Sequence, residues 1–289
     1  MPLESRESRQ PFQVVFAMAA VLIVAATLTL RTVAHPAELR PTSDDPTPFG
    51  YTWSLLLFLL PIAALGWWFA RRSDLKFPRA AFWRTIAVLA PLGFVLDLLF
   101  GNAFFVFQNE AATIRCDIPA LGGGIPIEEF IFYLTGFILT LLSYVWCDEY
   151  WMAAYNVPDY EAAVHGIDRI VRFHFPSLLI GSGLIVAAIV YRKWFSGDPN
   201  GFPWYFIYLT VASFIPSIGF FKTAHRFINW RAFSFTFFLL LLISLLWEVT
   251  LALPYGWWDY RAGAMSGLYI GAWRNLPIEA VLVWLAVTY

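Results

Sequence analysis

Apolar residues along this chain gather into long runs at about 12–30, 51–70, 82–101, 126–146, 174–191, 202–221, 232–251 and 277–289. Charge, proline and glycine collect between them. Most runs approach the ~20 residues a helix needs to cross a hydrocarbon core, and only helices or closed barrels satisfy their own backbone there. The pattern predicts an all-α polytopic membrane bundle of about eight transmembrane helices. The runs at 126–146 and 232–251 are the clearest, the second carrying no charge between Arg231 and Glu248. The run at 277–289 has 13 residues, short of a full span. The first run, behind Arg6 and Arg9, is longer than the 7–15-residue core of a signal peptide and reads as a retained helix.

Composition agrees. Of 289 residues, 60% are apolar and 13% charged, and the mean hydropathy is +0.64, which excludes an ordinary soluble domain. A net charge of -1 leaves no basic face for nucleic acid. Cys116 and Cys147 fall at opposite ends of one predicted helix and read as free thiols.

Basic residues mark the cytoplasmic loops. Arg71, Arg72, Lys76, Arg79 and Arg84 bracket the second and third runs, and Lys222, Arg226 and Arg231 bracket the sixth and seventh. With eight spans, the N-terminus and the 147–173 connection, with Arg169 and Arg172, lie on the same side. This orientation puts 12 of the 19 basic residues inside, with a cytoplasmic N-terminus in the plasma membrane.

Sliding the chain along itself by 151 residues aligns Trp53 with Trp204, Ala81-Phe82 with Ala232-Phe233, Asp97 with Glu248, and Pro126-Ile127-Glu128 with Pro277-Ile278-Glu279. A repeat is the economical explanation. It divides the chain into a first helical repeat at 1–146 (core 51–146), a cytoplasmic connection at 147–173, and a second repeat at 174–289 (core 202–289). Four helices per repeat would give both copies the same orientation, so the ends that carry the acids can form one shared site.

Asp97 and Glu248 lie inside apolar runs. An isolated charge at the bilayer centre costs about 2.5–3.5 kcal/mol on insertion scales, so a repeated embedded acid is a functional candidate; an acid that reaches interfacial water is the ordinary alternative. Pro126-Ile127-Glu128-Glu129 is a helix start, where proline and carboxylates also serve as common caps. Glu128 and Glu129 diverge by about 100°, so one of them faces any site. Between each acid and its proline runs an aromatic stretch: Phe104, Phe105, Phe107 and Asn109, then Tyr255, Trp257, Trp258 and Tyr260. Such rings form an interfacial belt or a wall that stabilises a cation, at about 2 kcal/mol per desolvated ring.

Other chemistries find little footing. Gly122-Gly123-Gly124 lacks dinucleotide-loop spacing. His35, His165, His174 and His225 show no metal-ligand spacing. No cofactor is implied, and Cys147-Asp148-Glu149 reads as a solvated loop start.

Together the membrane acid (Asp97, Glu248), the aromatic stretch (Phe107-Gln108-Asn109, Trp258-Asp259-Tyr260), Gly267, and Pro-Ile-Glu-Glu-Phe followed by Phe130, Phe132 and Tyr133 resemble the integral-membrane lycopene (carotenoid) cyclase domain family in its tandem form. The resemblance covers about 51–146 and 202–289. It implies redox-neutral closure of β- or ε-ionone rings on a long polyene such as lycopene: an acid protonates the terminal double bond, the neighbouring alkene attacks the cation, and a ring proton leaves. On this reading Glu128 is the donor, with Glu129 or Asp97 tuning it or taking the final proton, and Glu279 and Glu248 are second-half counterparts. Phe104, Phe105, Phe107, Asn109, Phe130, Tyr133, Trp257, Trp258 and Tyr260 would line the substrate. Two departures stand out: Pro277-Ile278-Glu279-Ala280 lacks the second Glu, and Phe107 replaces the usual Trp. The first copy is therefore expected to carry the chemistry. Rival expectations are a carotenoid 1,2-hydratase-like enzyme, in which water captures the same cation, and a proton-coupled carrier or lipid-binding protein. Membrane lipid is the implied surrounding, and assembly with a second copy or another subunit is left open.

Overall fold

A computed structural model describes residues 48–72, 77–156, 172–273 and 275–289. The expected first helix at 12–30, Arg6, Arg9, Lys76, Arg169, His35, His165 and most of the 147–173 connection lie outside them. Six helices are long and apolar enough to cross a membrane: α1 (Gly50–Arg71), α2 (Arg79–Phe104), α3 (Ile127–Trp151), α4 (Pro176–Trp194), α5 (Trp204–Phe227) and α6 (Trp230–Ala252). A shorter one, α7 (Ile278–Thr288), follows. The described chain is a mainly helical, multi-pass membrane protein, with six such spans in place of the eight expected from the whole sequence. Each of these helices falls on one of the apolar runs, with ends shifted by a few residues.

In lipid there is no hydrophobic drive between helices, so van der Waals packing and polar contacts decide which helices sit centrally. Here α3 and α6 occupy the middle: 56% and 44% of their most apolar stretches are buried, against 17–22% for α1, α2, α4 and α5. The peripheral helices turn large apolar side chains outward, among them Leu60, Val88, Val95 and Leu179, each more than half exposed. That is the arrangement hydrocarbon favours. At the centre, Trp247 of α6 stacks on Phe132 of α3 with ring centroids 4.9 Å apart, and Phe58 of α1 meets both rings edge-on.

The connections on the acid-bearing side hold three two-stranded antiparallel ribbons that hydrophobic patterning did not predict: β1 (Phe105–Val106) with β4 (Asp259–Tyr260), β2 (Asp117–Ala120) with β3 (Gly123–Pro126), and β5 (Tyr269–Ile270) with β6 (Leu276–Pro277). Strands of two to four residues carry no measurable alternation. The glycine triplet supplies the second ribbon's turn: Ala120 pairs with Gly123, and Gly122 at φ 88° and Gly123 at φ 153° occupy conformations that a Cβ opposes. The β1–β4 ribbon joins the two halves, pairing Phe105 with Tyr260. It is reinforced by Arg261 N–H donating to Phe104 C=O at 2.8 Å, Arg261 Nε to Asn102 C=O at 2.7 Å, and Asn109 Nδ2 to Tyr255 C=O at 3.0 Å. Both cysteines are free.

Candidate functional site

Helix α3 starts where Pro126, in an extended conformation, hands over to Ile127. Proline lacks the N–H that a first turn leaves unbonded, and the dipole there suits Glu128 and Glu129. The two side chains then part. Glu128 turns to the connection: its Oε1 accepts from Ile114 N–H at 2.8 Å and from Thr52 Oγ1 at 2.5 Å. Glu129 turns to the bundle interior and accepts from Tyr51 Oη at 2.5 Å.

The second half repeats the first of these arrangements. Glu279 Oε1, at the start of α7, accepts from Ser266 N–H at 2.6 Å. Ile127 N–H donates to Cys116 C=O at 2.9 Å, and Ile278 N–H to Leu268 C=O at 3.0 Å. Phe49 N–H reaches Ala111 C=O at 2.8 Å, and Phe202 N–H reaches Gly263 C=O at 2.9 Å. Arg115 (φ 58°) and Gly267 (φ 84°) take left-handed conformations in corresponding places. From Ala111 to Cys116 the correspondence runs at 152 residues, one more than at the helix starts, and Phe49 corresponds to Phe202 at 153. Glu128 and Glu279 are thus buried staples that bind loop N–H groups, and neither lines the two cavities described next. Of the two acids at the start of α3, Glu129 lines the first of these cavities, while Glu128 is held by Ile114 of the connection and Thr52 of α1.

The first cavity has Glu129 and Glu248 both on its wall. Glu248 begins a π-helical turn, Glu248–Ala252, at the end of α6, a distortion frequent at functional sites. Its Oε2 accepts from Tyr260 Oη at 3.3 Å. Burial, reinforced by the Glu248 charge, holds the Tyr260 hydroxyl well above the usual tyrosine range, so it stays protonated as a donor. The rest of the wall is aromatic or aliphatic: Phe105, Phe132, Tyr133, Phe137, Tyr205, Trp258, Trp284, Val283 and Val287, with Gly136. Several rings meet edge-on or tilted, including Phe105 with Trp258 at 5.8 Å and Phe132 with Trp284 at 5.7 Å.

A second, larger cavity adjoins it and shares Phe105, Tyr133, Phe137, Tyr205, Val283 and Val287 with it. Asp97 and Phe104 lie on its wall, and Asp97 Oδ2 is buried without a hydrogen-bond partner. Among the described residues, no Lys or Arg lines either cavity. All five predicted acids are buried, none more than 7% exposed, but only Glu129, Glu248 and Asp97 reach these spaces.

Among the expected substrate-lining residues, Phe104, Phe105, Tyr133, Trp258 and Tyr260 line one cavity or both. Trp257 instead stacks on Tyr51 at 6.1 Å, Phe130 packs on Phe94 at 5.4 Å, Asn109 Oδ1 accepts from Ala111 N–H, and Phe107 lies against the aromatic core. None of these four lines either cavity. Sequence reading missed Tyr51, Tyr205 and Trp284. For Trp284 a signal existed: at 151 residues it aligns with Tyr133, as Val287 aligns with Gly136, and all four line the first cavity. Tyr51 and Tyr205 had no signal beyond being aromatic.

The chain matches no family model, no curated protein and no solved structure.

Proposed function

We propose that this chain is a membrane-embedded, redox-neutral lycopene cyclase-type isomerase of carotenoid biosynthesis, closing an ionone ring on a polyene through a carbocation. One observation carries this reading: two carboxyl groups, Glu129 and Glu248, share a small aromatic-walled cavity with no Lys or Arg among its described lining residues. Ring closure needs a proton delivered to the terminal C=C, a π-rich wall for the cation that follows, and a base for the proton lost at the end. The π electrons of the terminal double bond take the proton, leaving a tertiary cation. The neighbouring C=C attacks it, forming the six-membered ring and moving the charge into the ring. A ring C–H then gives up its proton, its electrons forming the new double bond. One proton enters and one leaves, so the reaction is isomerisation. Glu129 and Glu248 divide the two transfers. General acid–base assistance is worth about 10²–10⁴-fold per group, and each well-placed ring contributes about 2 kcal/mol toward the cation.

We further propose that the two halves are tandem copies of one unit, in the plasma membrane with the ribbon-bearing side away from the cytoplasm. The paired loop staples, Glu128 with Ile114 and Glu279 with Ser266, support the first part. In such a repeat the Glu129–Glu248 pair has a symmetry mate, Ala280 with Asp97, in which one acid is missing. The site is then single and built from both halves.

Expression in a lycopene-accumulating host, followed by pigment chromatography and mass spectrometry, tests the activity. A cyclic product of unchanged mass is expected. A product heavier by one water would favour hydration, and unchanged lycopene would favour a carrier.

A further inference from the structure

The larger cavity has a shape that the acid pair alone does not explain. It follows α2 from Thr85 through Leu89, Leu92 and Asp97 to Phe104, a rise of about 28 Å at 1.5 Å per residue. That is close to the ~30 Å thickness of a hydrocarbon core. Its floor is α3 and its far wall α5 and α7. It is open sideways, because Leu89 (38% exposed), Leu92 (52%) and Phe100 (41%) form its lip. At the ribbon-bearing end, Phe100 and Phe104 meet Tyr208 at 5.6 and 5.3 Å and close the gap between α2 and α5. At that end too the groove joins the Glu129–Glu248 cavity. The carboxyl groups that meet this space are therefore gathered toward one end of a long apolar trough.

Resting on the cyclase reading above, we propose that the groove holds its substrate as one extended, rod-like hydrocarbon lying along α2. One terminus sits in the Glu129–Glu248 cavity and the other lies toward Thr85 at the opposite membrane face. The rod slides in sideways from the bilayer past Leu89 and Leu92. Only one terminus meets the acids per binding event. A product ringed at both ends therefore requires the one-ringed molecule to leave the groove, reverse and bind again. The far terminus lies among Thr85, Leu89, Thr140, Leu141 and Thr288 and is read by its length.

The experiment compares a full-length lycopene with a half-length polyene bearing the same terminus, using purified protein in lipid bilayers. Thr85→Trp fills the groove about 18 Å from Asp97, twelve residues away along the helix, beyond the reach of the short substrate; Thr85→Val keeps the volume and controls for folding. Thr85→Trp is expected to lower kcat/KM for the full-length rod by about tenfold, the scale of one overpacked contact, while leaving the half-length substrate within about twofold. Equal loss on both substrates, or loss on neither, overturns the proposal. A second measurement adds unlabelled one-ringed product to the bilayer while labelled lycopene turns over. Dilution of label in the two-ringed product is expected, and undiluted label overturns release between ends. Wild-type protein that forms no ring on either substrate would refute the cyclase reading itself, which keeps the two failures apart.

Discussion

The sharpest consequence of the geometry concerns Glu128, which the bare sequence offers as proton donor and the structure makes a staple. Glu128→Gln keeps an acceptor for Ile114 N–H and Thr52 Oγ1 but removes the charge that strengthens both bonds, now 2.8 and 2.5 Å. Hydrogen bonds to charged groups are worth about 1.5–3 kcal/mol and neutral ones about 0.5–1.5 kcal/mol, so over the two bonds the change should cost roughly 2–3 kcal/mol of stability. Glu128→Ala removes the one oxygen that accepts both bonds and leaves a space at a fully buried position, so it should cost more than the Gln change. Activity should track this loss of folding. The assay is paired: thermal unfolding in detergent, followed by tryptophan fluorescence, and ring formation in the lycopene-accumulating host at a temperature well below the transition. Glu128→Gln should unfold earlier yet retain a readily measured fraction of activity, and Glu128→Ala should lose both together. A Glu128→Gln protein that unfolds like the wild type but forms no ring would refute the argument and return Glu128 to the chemistry.

Three further outcomes follow from the same geometry. Glu129→Gln and Glu248→Gln should each cut ring formation by about 10²–10⁴-fold with little change in unfolding temperature, and the double variant should be scarcely worse than either, because the two transfers belong to one reaction; additive losses would contradict a shared site. Gly101→Ala would place a Cβ 2.6 Å from Asp97 Oδ1 and 2.9 Å from Ile125 Cδ1, so overpacking should lower stability by about 1–3 kcal/mol, readable as a fall in the same fluorescence transition. Asn229→Ala at the start of α6 removes an acceptor for Ala232 N–H and a donor to Asp148 at 2.8 Å; a cap loss of about 1 kcal/mol should appear as earlier unfolding with ring formation intact below the transition.

The placement of helices was legible in the chain because hydrocarbon leaves the backbone so few options: an apolar run of about 20 residues must close its own hydrogen bonds. The runs at 51–70 and 232–251 accordingly became Gly50–Arg71 and Trp230–Ala252. The buried acids were legible for the same reason, since a carboxyl group inside such a run stands out against its neighbours. The three ribbons were hidden because two to four residues carry no period, although the glycine triplet marked one turn. The 151-residue offset aligned the helix starts and overlooked the loops, where Ile114 and Ser266, the partners of Glu128 and Glu279, lie 152 residues apart. Which of Glu128 and Glu129 enters the interior could not be read from the chain. Their 100° separation is a property of any helix, but the absolute rotation of α3 comes from its packing against α1 and α6 and from the N–H groups that claim Glu128. The pairing of Glu129 with Glu248 was hidden likewise, as the two lie 119 residues apart and meet only because α3 and α6 pack at the centre. Sequence alone determined which segments lie in the membrane and which carry acids; tertiary packing decided which of those acids face a common space, because orientation about a helix axis is set by neighbours and has no local code.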